Sequence, residues 1–327
     1  MNVKGLILCS LLIAPAPCRA QEAKGQAEEV GPGEVVRVDT NLVPVEVTVR
    51  DAAGRVVRGL RRGDFRLFED GVERPISFFS AETTGGSARC PLDLVFALDV
   101  SGSMTRDELG ALRASAALFA ERLSGPRSRF AVLSFGMRVK VLQSFTGDPR
   151  KLDKAFDSIL RDELGLSTHA FDAVDDAVRM LVRRGRRTAD GLVVKRVVVV
   201  ISDGFPTGDA ISPHTVIERA NAANVSVYTV TMPSYGHGAA AGRPVPTILD
   251  VSGLAAETGG VNVYATGGDY TEALKAVSTE VLSRYVLAFY PDGEKRRDGN
   301  FHRLRVEAPG GMTVGQSRQG YAGNDPR

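Results

Sequence analysis

The sequence predicts an α/β fold: a doubly wound, mostly parallel sheet covered by helices on both faces, with a smaller β-rich domain built from the N- and C-terminal flanks. Between residues 91 and 284, apolar runs of strand length alternate with segments whose apolar residues recur every three or four positions. That alternation is typical of a parallel sheet with crossover helices. Residues 35–82 instead alternate apolar and polar positions, and strand-like runs without helices return at 285–321.

Residues 1–20 have the composition of a cleaved secretory signal peptide. They begin with a short basic segment containing Lys4, continue with a mostly apolar stretch from Gly5 to Ala14, and end with small residues before a predicted cleavage after Ala20. The apolar stretch is short for a membrane span, which needs about 20 residues. We therefore expect an exported protein, periplasmic or secreted, with no transmembrane segment after signal cleavage.

Two further features refine this prediction for the N-terminus. A lipoprotein signal is disfavoured, because Pro17 stands where a small residue should precede Cys18. Residues 21–34 are rich in Glu, Ala and Gly and show no hydrophobic period, which predicts a flexible leader.

Charge and cysteine content exclude several classes of protein. Removal of residues 1–20 takes away two of the 41 basic residues and none of the 39 acidic ones, so the remaining chain is electrically balanced. A balanced chain gives no electrostatic basis for binding nucleic acid or an anionic membrane. Cys90 is then the one remaining cysteine. An exported protein of this size must therefore be stabilised by its core, without an intrachain disulfide.

The N-terminal segment, residues 35–82, contains about four short strands. One face of the first strand is formed by four valines at alternating positions, Val43, Val45, Val47 and Val49. Pro44 has no N–H to donate, so this strand lies at a sheet edge or begins near Pro44. Asp70-Gly71 predicts a hairpin turn. About 45 residues are few for an independent domain, so we expect residues 285–321 to pair with this segment.

The central region is predicted to contain six strands and six helices. The predicted strands are 92–98, 130–135, 139–145, 197–201, 225–230 and 261–264. The predicted helices lie near 109–123, 152–160, 171–181, 215–223, 248–258 and 271–282. Only three residues separate the second and third strands, so these two should form an antiparallel hairpin at one edge of the sheet.

Polar side chains stand where two of the central strands end. Asp99, Ser101 and Ser103 follow the first strand, and Asp203 follows the valine-rich strand 197–201. Carboxylate and hydroxyl oxygens select a hard cation such as Mg²⁺, with Mn²⁺ or Ca²⁺ as alternatives, over zinc. Helix capping would explain one of the two serines and leave the other unexplained.

These residues carry a resemblance to a known family. Asp99-x-Ser101-x-Ser103, then Thr168, then Ser202-Asp203-Gly204 resembles the metal-ion-dependent adhesion site of von Willebrand factor type A domains. The resemblance covers residues 91–284. It implies a Mg²⁺ at the upper edge of the sheet, coordinated by the hydroxyls of Ser101, Ser103 and Thr168 and, mostly through water, by Asp99 and Asp203. It also implies a protein partner that offers an Asp or Glu carboxylate to the cation.

The flanks carry a second resemblance. A group of exported bacterial proteins described only as type A-related is similar in four segments: the valine-alternating strand, residues 64–71, Tyr285-Val286-Leu287 and Gly320-Tyr321. That description implies no activity.

Some residues near the site depart from the family pattern. His169 is bulky where the family often has a smaller residue, and we interpret it as a rim histidine, with crowding or tuning of the entrance as the alternative. Ser167 leaves open which hydroxyl binds the cation. Asp172 is assigned to the start of its helix, near the positive end of the dipole.

Three functions fit these observations. The preferred one is an exported, Mg²⁺-dependent protein-binding module without enzymatic activity or catalytic residues. The second is a metal-dependent hydrolase, with His169 as its base. Against it, Ser101 lacks the glycine frame of a hydrolase elbow, and the four histidines show no ligand spacing. The third is a structural envelope protein whose metal only stabilises the fold.

Overall fold

The computed structural model describes residues 42–81, 91–101, 105–159, 167–186, 188–189, 192–231, 246–265 and 270–323. The predicted signal peptide and leader, Ser103 and Cys90 lie outside these ranges. The described residues form a helix-covered sheet and a β-rich part made from both chain ends, which confirms the predicted fold class.

In chain order the strands are β1 (Val43–Arg50), β2 (Arg66–Glu69), β3 (Val72–Arg74), β4 (Phe78–Ala81), β5 (Leu92–Asp99), β6 (Ser128–Phe135), β7 (Val139–Thr146), β8 (Thr188–Ala189), β9 (Leu192–Val193), β10 (Lys195–Ser202), β11 (Val225–Thr231), β12 (Asn262–Tyr264), β13 (Tyr285–Phe289), β14 (Phe301–Glu307), β15 (Thr313–Gln316) and β16 (Gly320–Ala322). The α-helices are α1 (Arg106–Leu123), α2 (Pro149–Ile159), α3 (Ala170–Arg184), α4 (Pro213–Ala222), α5 (Ile248–Val251), α6 (Leu254–Glu257) and α7 (Tyr270–Leu282).

The large sheet has the strand order β12-β11-β10-β5-β6-β7. Neighbouring strands are parallel except β6 and β7, which form the predicted antiparallel hairpin at the edge. β5 and β10 lie side by side at the centre, with Leu98 opposite Ile201. Their carboxyl ends, and the polar residues that follow them, therefore meet at one edge of the sheet.

Helices cover both faces of this sheet. Leu94, Phe96 and Leu98 of β5 pack into a layer with α1, α2 and α7, while Val95 and Ala97 pack into the layer with α3 to α6. A strand buried on both faces needs apolar residues at nearly every position, which explains the continuous apolar runs. Burial of each large apolar side chain contributes about 1.5–3 kcal/mol.

The start of α1 follows the Ser101 turn closely and is fixed by a capping box. Glu108 donates its backbone N–H to Thr105 Oγ1 at 3.2 Å, and Thr105 donates its own N–H to Glu108 Oε2 at 2.7 Å. These two bonds satisfy N–H groups that the helix itself leaves without a partner.

One predicted helix, over 248–258, was wrong as a single element. The structure divides it into α5 and α6, and Gly253 between them has a φ of 77°, in the left-handed region. A left-handed residue interrupts the helical hydrogen bonds, so each part spans only about one turn.

The β-rich part contains two antiparallel sheets, with orders β15-β1-β13-β4 and β16-β14-β2-β3. Each combines strands from both chain ends. Val45, Val47 and Val49 are fully buried between them, as the alternating pattern predicts. Pro44 is the second residue of β1, and β1 is an interior strand. The proline is tolerated there because β15 pairs with β1 only over its second half, from Val47 onward.

Two ion pairs join the β-rich part to the large sheet and its helices. Arg50 of β1 binds Glu280 of α7 through two hydrogen bonds of 3.0 and 2.7 Å. Arg284 follows α7, and its side chain is almost fully buried against Glu46 of β1. Among the described helices, none is long and apolar enough to span a membrane.

Candidate metal site at the carboxyl edge of the sheet

Asp99 is the last residue of β5, and its carboxylate is held in one orientation. Its Oδ1 accepts a hydrogen bond from the backbone N–H of Ser101 at 2.8 Å, and its Oδ2 accepts one from Ser202 Oγ at 2.6 Å. Both Asp99 and Ser101 are buried. The strand pairing of β5 with β10 thus places Ser202 where its hydroxyl can fix the carboxylate.

Asp203 follows β10 directly and is half-buried. Its Oδ1 accepts a hydrogen bond from the backbone N–H of Phe205 at 3.0 Å. Gly204, between these two residues, has a φ of 85°, and a Cβ there would overlap the side chain of Thr247. The chain therefore needs a glycine after Asp203 to turn away from the sheet.

The electrostatics of the two carboxylates favour a cation. Burial raises the pKa of Asp99 to about 6, and the charge of Asp203 adds to this, while hydrogen bonds from Ser202 and Ser101 act in the opposite direction. Within the described part of the chain, neither carboxylate forms an ion pair with a basic side chain. A bound cation would supply the missing positive charge.

Thr168 lies just before α3, and two neighbouring loops hold it in place. Its backbone N–H donates to Thr207 Oγ1 at 3.1 Å, and its carbonyl accepts from the N–H of Thr207 at 2.8 Å. Thr207 belongs to the loop that follows Asp203. Thr168 itself is buried.

Gly136, at the tip of the β6–β7 hairpin, joins the Thr168 segment to the Ser101 turn. Its carbonyl accepts a hydrogen bond from the backbone N–H of His169 at 3.2 Å. A Cβ at Gly136 would lie 3.8 Å from the Cα of Ser101. The structure thus brings Asp99, Ser101, Thr168 and Asp203 to one edge, while Ser103 lies outside the described residues.

A second group of side chains links the loops that carry Thr168 and Asp203. Asp172, in the first turn of α3, accepts hydrogen bonds from the backbone N–H groups of Ala210 and Ile211 at 3.1 and 3.0 Å. Asp209 in turn accepts the N–H of Asp172 at 2.9 Å. His169 Nδ1 lies 3.1 Å from Asp172 Oδ2. This reciprocal arrangement fixes the spacing of the two loops.

The electrostatics of this group agree with a structural role for Asp172. Burial raises the pKa of Asp172, but the hydrogen bonds from His169, Ala210 and Ile211 outweigh it and lower the pKa overall. One ligand-type atom from each of His169, Asp172 and Asp209 lies within 4.8 Å of the others. The oxygens of Asp172 are already used by the two backbone N–H groups.

The donor set at the sheet edge fits a hard divalent cation. It combines carboxylates with hydroxyls and contains no thiolate or imidazole among the four residues that the structure brings together. Asp99 already accepts hydrogen bonds on both oxygens, which suits a carboxylate that acts on a cation through bound water. Ser101 and Thr168 are the residues that would offer hydroxyl oxygens.

The sequence did not reveal three residues that organise this edge: Ser202, Thr207 and Asp209. Ser202 stands beside Asp203 in the motif, so its position was visible but its bond to Asp99 was not. Thr207 and Asp209 act through contacts with residues about 40 positions away, and local patterns carry no signal of such contacts.

Comparisons with known proteins identify several similar solved structures and one matching family model. Similar solved structures include an aerotolerance-related membrane protein from Bacteroides fragilis, with 17% identity, a TM-score of 0.43, and coverage of 58% of this chain and 98% of that one. BatB from Bacteroides thetaiotaomicron has 19% identity, a TM-score of 0.43, and coverage of 58% and 97%. Proximal thread matrix protein 1 of the mussel byssus has 15% identity, a TM-score of 0.49, and coverage of 65% and 49%.

No curated protein matches this chain. The assignment to a family rests instead on a family model, which matches residues 93–286, more than half of the chain. That range begins in β5, includes all the residues of the sheet edge described above, and ends in β13. The chain belongs to the von Willebrand factor type A domain family.

Proposed function

We propose that this chain is an exported protein-binding module that holds Mg²⁺ at the carboxyl edge of its large sheet and uses it to bind an Asp or Glu carboxylate of a partner protein. Membership of the von Willebrand factor type A family suggests a module for protein interaction or adhesion. The predicted signal peptide at residues 1–20 supports export to the periplasm or the cell exterior.

One observation carries the proposal: the juxtaposition of Asp99 and Asp203 without a basic partner in the described residues, next to the hydroxyl-bearing Ser101 and Thr168. Ser103 completes the proposed set of ligands by its place in the motif. Mn²⁺ and Ca²⁺ are alternatives for the cation, because the same oxygen donors suit them.

The donor set also favours binding over catalysis. Hydroxyls and water-bridged carboxylates neutralise a divalent cation only in part, so the cation retains affinity for an anionic oxygen from outside. A carboxylate of a partner protein is the most common oxygen of this kind on a protein surface. The partner's carboxylate would therefore complete the coordination.

The test uses the chain without residues 1–20, immobilised and exposed to envelope proteins in Mg²⁺. We expect bound partners to elute with chelator and to be lost with Asp203→Ala, whose side chain is half-buried and whose removal the fold should tolerate. The matched control is Asp153→Ala, an exposed acid on α2. Binding that persists through both chelation and Asp203→Ala would contradict the proposal.

The same protein preparation also tests the two alternative functions, a metal-dependent hydrolase and a structural envelope protein. A hydrolase would turn over model ester or phosphoester substrates and lose this activity in His169→Ala. A structural role for the metal would appear as a lower melting temperature on chelation while partner binding is unchanged.

A further inference from the structure

Large apolar side chains are exposed on the loops that surround the candidate metal site. Met137 is 62% exposed, Phe205 38%, Ile248 50% and Val251 73%. Exposed apolar side chains that occur singly are ordinary, but several around one site indicate an interaction surface. These four residues form the apolar rim of the site.

The apolar rim lies on two sides of the site. Met137 follows Gly136, which contacts the Ser101 turn and accepts the N–H of His169. Phe205 donates its N–H to Asp203, a residue of the site itself. On the Met137 side, the hairpin also exposes Arg138, whose positive charge favours an acidic partner.

Ile248 and Val251 of the apolar rim are the first and last residues of α5. Thr247, just before α5, packs against Gly204, and the N–H of Leu249 donates to the carbonyl of Gly204 at 3.1 Å. Hydrogen bonds of Asp250 to Thr247 and to Tyr264 of β12 hold this short helix in place. The exposed apolar side chains of α5 are therefore fixed relative to Asp203.

Resting on the function proposed above, we infer that the partner presents its carboxylate between bulky apolar side chains, so that these contact Met137 on one side and Phe205, Ile248 and Val251 on the other. Apolar contacts on both sides exclude water from the carboxylate and the cation. An ion pair is stronger where water is excluded, because the local dielectric constant falls. The apolar rim thus determines which acidic residues are bound.

The test compares three labelled peptides by fluorescence anisotropy with the mature chain in Mg²⁺. Their sequences are Ser-Leu-Glu-Phe-Ser, Ser-Ser-Glu-Ser-Ser and Ser-Leu-Gln-Phe-Ser, all blocked at both ends. We expect the first to bind roughly tenfold more tightly than the second, the scale of a lost apolar contact at an interface. The third lacks the charge and should show no chelator-sensitive binding.

Variants test whether the apolar rim causes the preference for the first peptide over the second. Met137→Ser with Phe205→Ser should reduce the tenfold preference to about one and leave Mn²⁺ affinity unchanged. Leu118→Ser with Val182→Ser removes equally exposed apolar side chains from α1 and α3 and serves as the control. It should preserve the preference.

Two results would overturn the inference in distinguishable ways. Equal, chelator-sensitive affinity for the two glutamate peptides would show that the apolar rim does not distinguish between them. The proposed function would then still stand. Failure of both glutamate peptides to bind a chain that has taken up Mn²⁺ would contradict the carboxylate-binding function and the inference together.

Discussion

Ser202 acts on the candidate site without being one of its predicted metal ligands. Its hydroxyl donates to Asp99 Oδ2 at 2.6 Å and accepts the backbone N–H of Gly204 at 3.1 Å. One side chain therefore orients a carboxylate of β5 and the turn that carries Asp203. Groups that orient metal ligands in this way commonly affect metal affinity by 10–100-fold when removed.

We expect Ser202→Ala to weaken Mn²⁺ binding by roughly tenfold, because the Asp99 carboxylate loses the bond that fixes its orientation. Competition between Mn²⁺ and Mg²⁺, followed by electron paramagnetic resonance of free Mn²⁺, measures this change. Ser158→Ala is the control, since that hydroxyl donates to the carbonyl of Ala155 within α2, away from the candidate site. Equal affinities of Ser202→Ala and the unmodified chain would contradict the role given to Ser202.

His302 is a buried titratable residue in the β-rich part, between two carboxylates. Its Nδ1 lies 2.8 Å from Asp70 Oδ2 and its Nε2 lies 3.0 Å from Asp298 Oδ1. Burial lowers the pKa of His302, but the hydrogen bonds to Asp70 and Asp298 outweigh it and raise the pKa overall. The protonated ring is thus favoured in the folded protein. Lys295 binds the same Asp70 carboxylate.

Stability of the β-rich part should therefore fall as pH rises. Below the unfolded pKa of about 6.5, His302 is protonated in both states and its stabilisation is fully present. The stabilisation is lost as pH increases through the raised folded pKa. We expect the melting temperature to decline over this interval, and His302→Gln to reduce the decline. The exposed His214→Gln is the control. A decline of the same size in His302→Gln would exclude the interaction as its cause.

At the residue scale, the sequence predicted those site residues that stand directly after a long apolar run. Asp99 and Asp203 were identifiable because long apolar runs end at them. The bonds that orient them were not, because Ser202 and Asp99 are 103 positions apart and meet only when β5 and β10 pair. Asp172 was correctly placed in the first turn of its helix, but its hydrogen bonds to the loop at 210–211 were not predicted.

At the scale of single elements, β5 contains a charge that its apolar pattern does not explain. Asp93 is fully buried, and its carboxylate accepts hydrogen bonds from Arg129 of β6 and from Arg186 beyond α3. A buried carboxylate of this kind is tolerated when two guanidinium groups surround it. Arg186 comes from a run of basic residues, and the sequence gives no indication of which one turns inward.

Arg284 is the clearest ionic link between β1 and the large sheet. It is 2% exposed and donates to Glu46 Oε2 at 2.8 Å and to Ser226 Oγ of β11 at 3.1 Å. It also binds the hydroxyl of Tyr228. Two strands distant in sequence, β1 and β11, thus share one buried guanidinium group.

Removal of one residue of the Glu46–Arg284 ion pair should lower the free energy of unfolding much more than removal of both residues. We expect Arg284→Leu to lower the free energy of unfolding by roughly 3–5 kcal/mol, because the half-buried charge of Glu46 loses its partner. The double variant Glu46→Leu, Arg284→Leu should recover part of that loss. Urea denaturation of both single variants and the double variant measures the coupling. Strictly additive losses would show that the two charges do not depend on each other.

At the scale of the whole molecule, the β-rich part depends on both chain ends. β1 pairs with β13 and β15, and β2 pairs with β14, so neither flank contains its own complete sheet. The family match of residues 93–286 ends at the second residue of β13, so most of the C-terminal strands lie outside it. The two flanks enclose a common apolar core that includes Val47, Leu287 and Leu304.

We therefore expect a fragment of residues 35–82 to remain unfolded alone, because its apolar face has no covering strands. A fragment of residues 285–323 added to it should restore β-structure, measured by circular dichroism and by the dispersion of amide signals in nuclear magnetic resonance spectra. Stable β-structure in the 35–82 fragment by itself would contradict the dependence on the C-terminal strands.

The overall fold was largely accessible from the sequence, because its strands are buried on both faces and its helices have regular apolar spacing. Pairing of the two chain ends was an expectation drawn from the small size of the N-terminal segment, and the structure confirms it. The break between α5 and α6 was missed, since apolar spacing continues through Gly253. The left-handed backbone of Gly253 cannot be predicted from the spacing of apolar residues.

Anomalous X-ray scattering from crystals of the chain without residues 1–20, grown with Mn²⁺, tests the proposed cation site most directly. We expect one strong anomalous peak among Asp99, Ser101, Thr168 and Asp203, and its loss in crystals of Asp203→Ala. A peak confined to the group of His169, Asp172 and Asp209, or no peak at the carboxyl edge of the sheet, would contradict the proposed site.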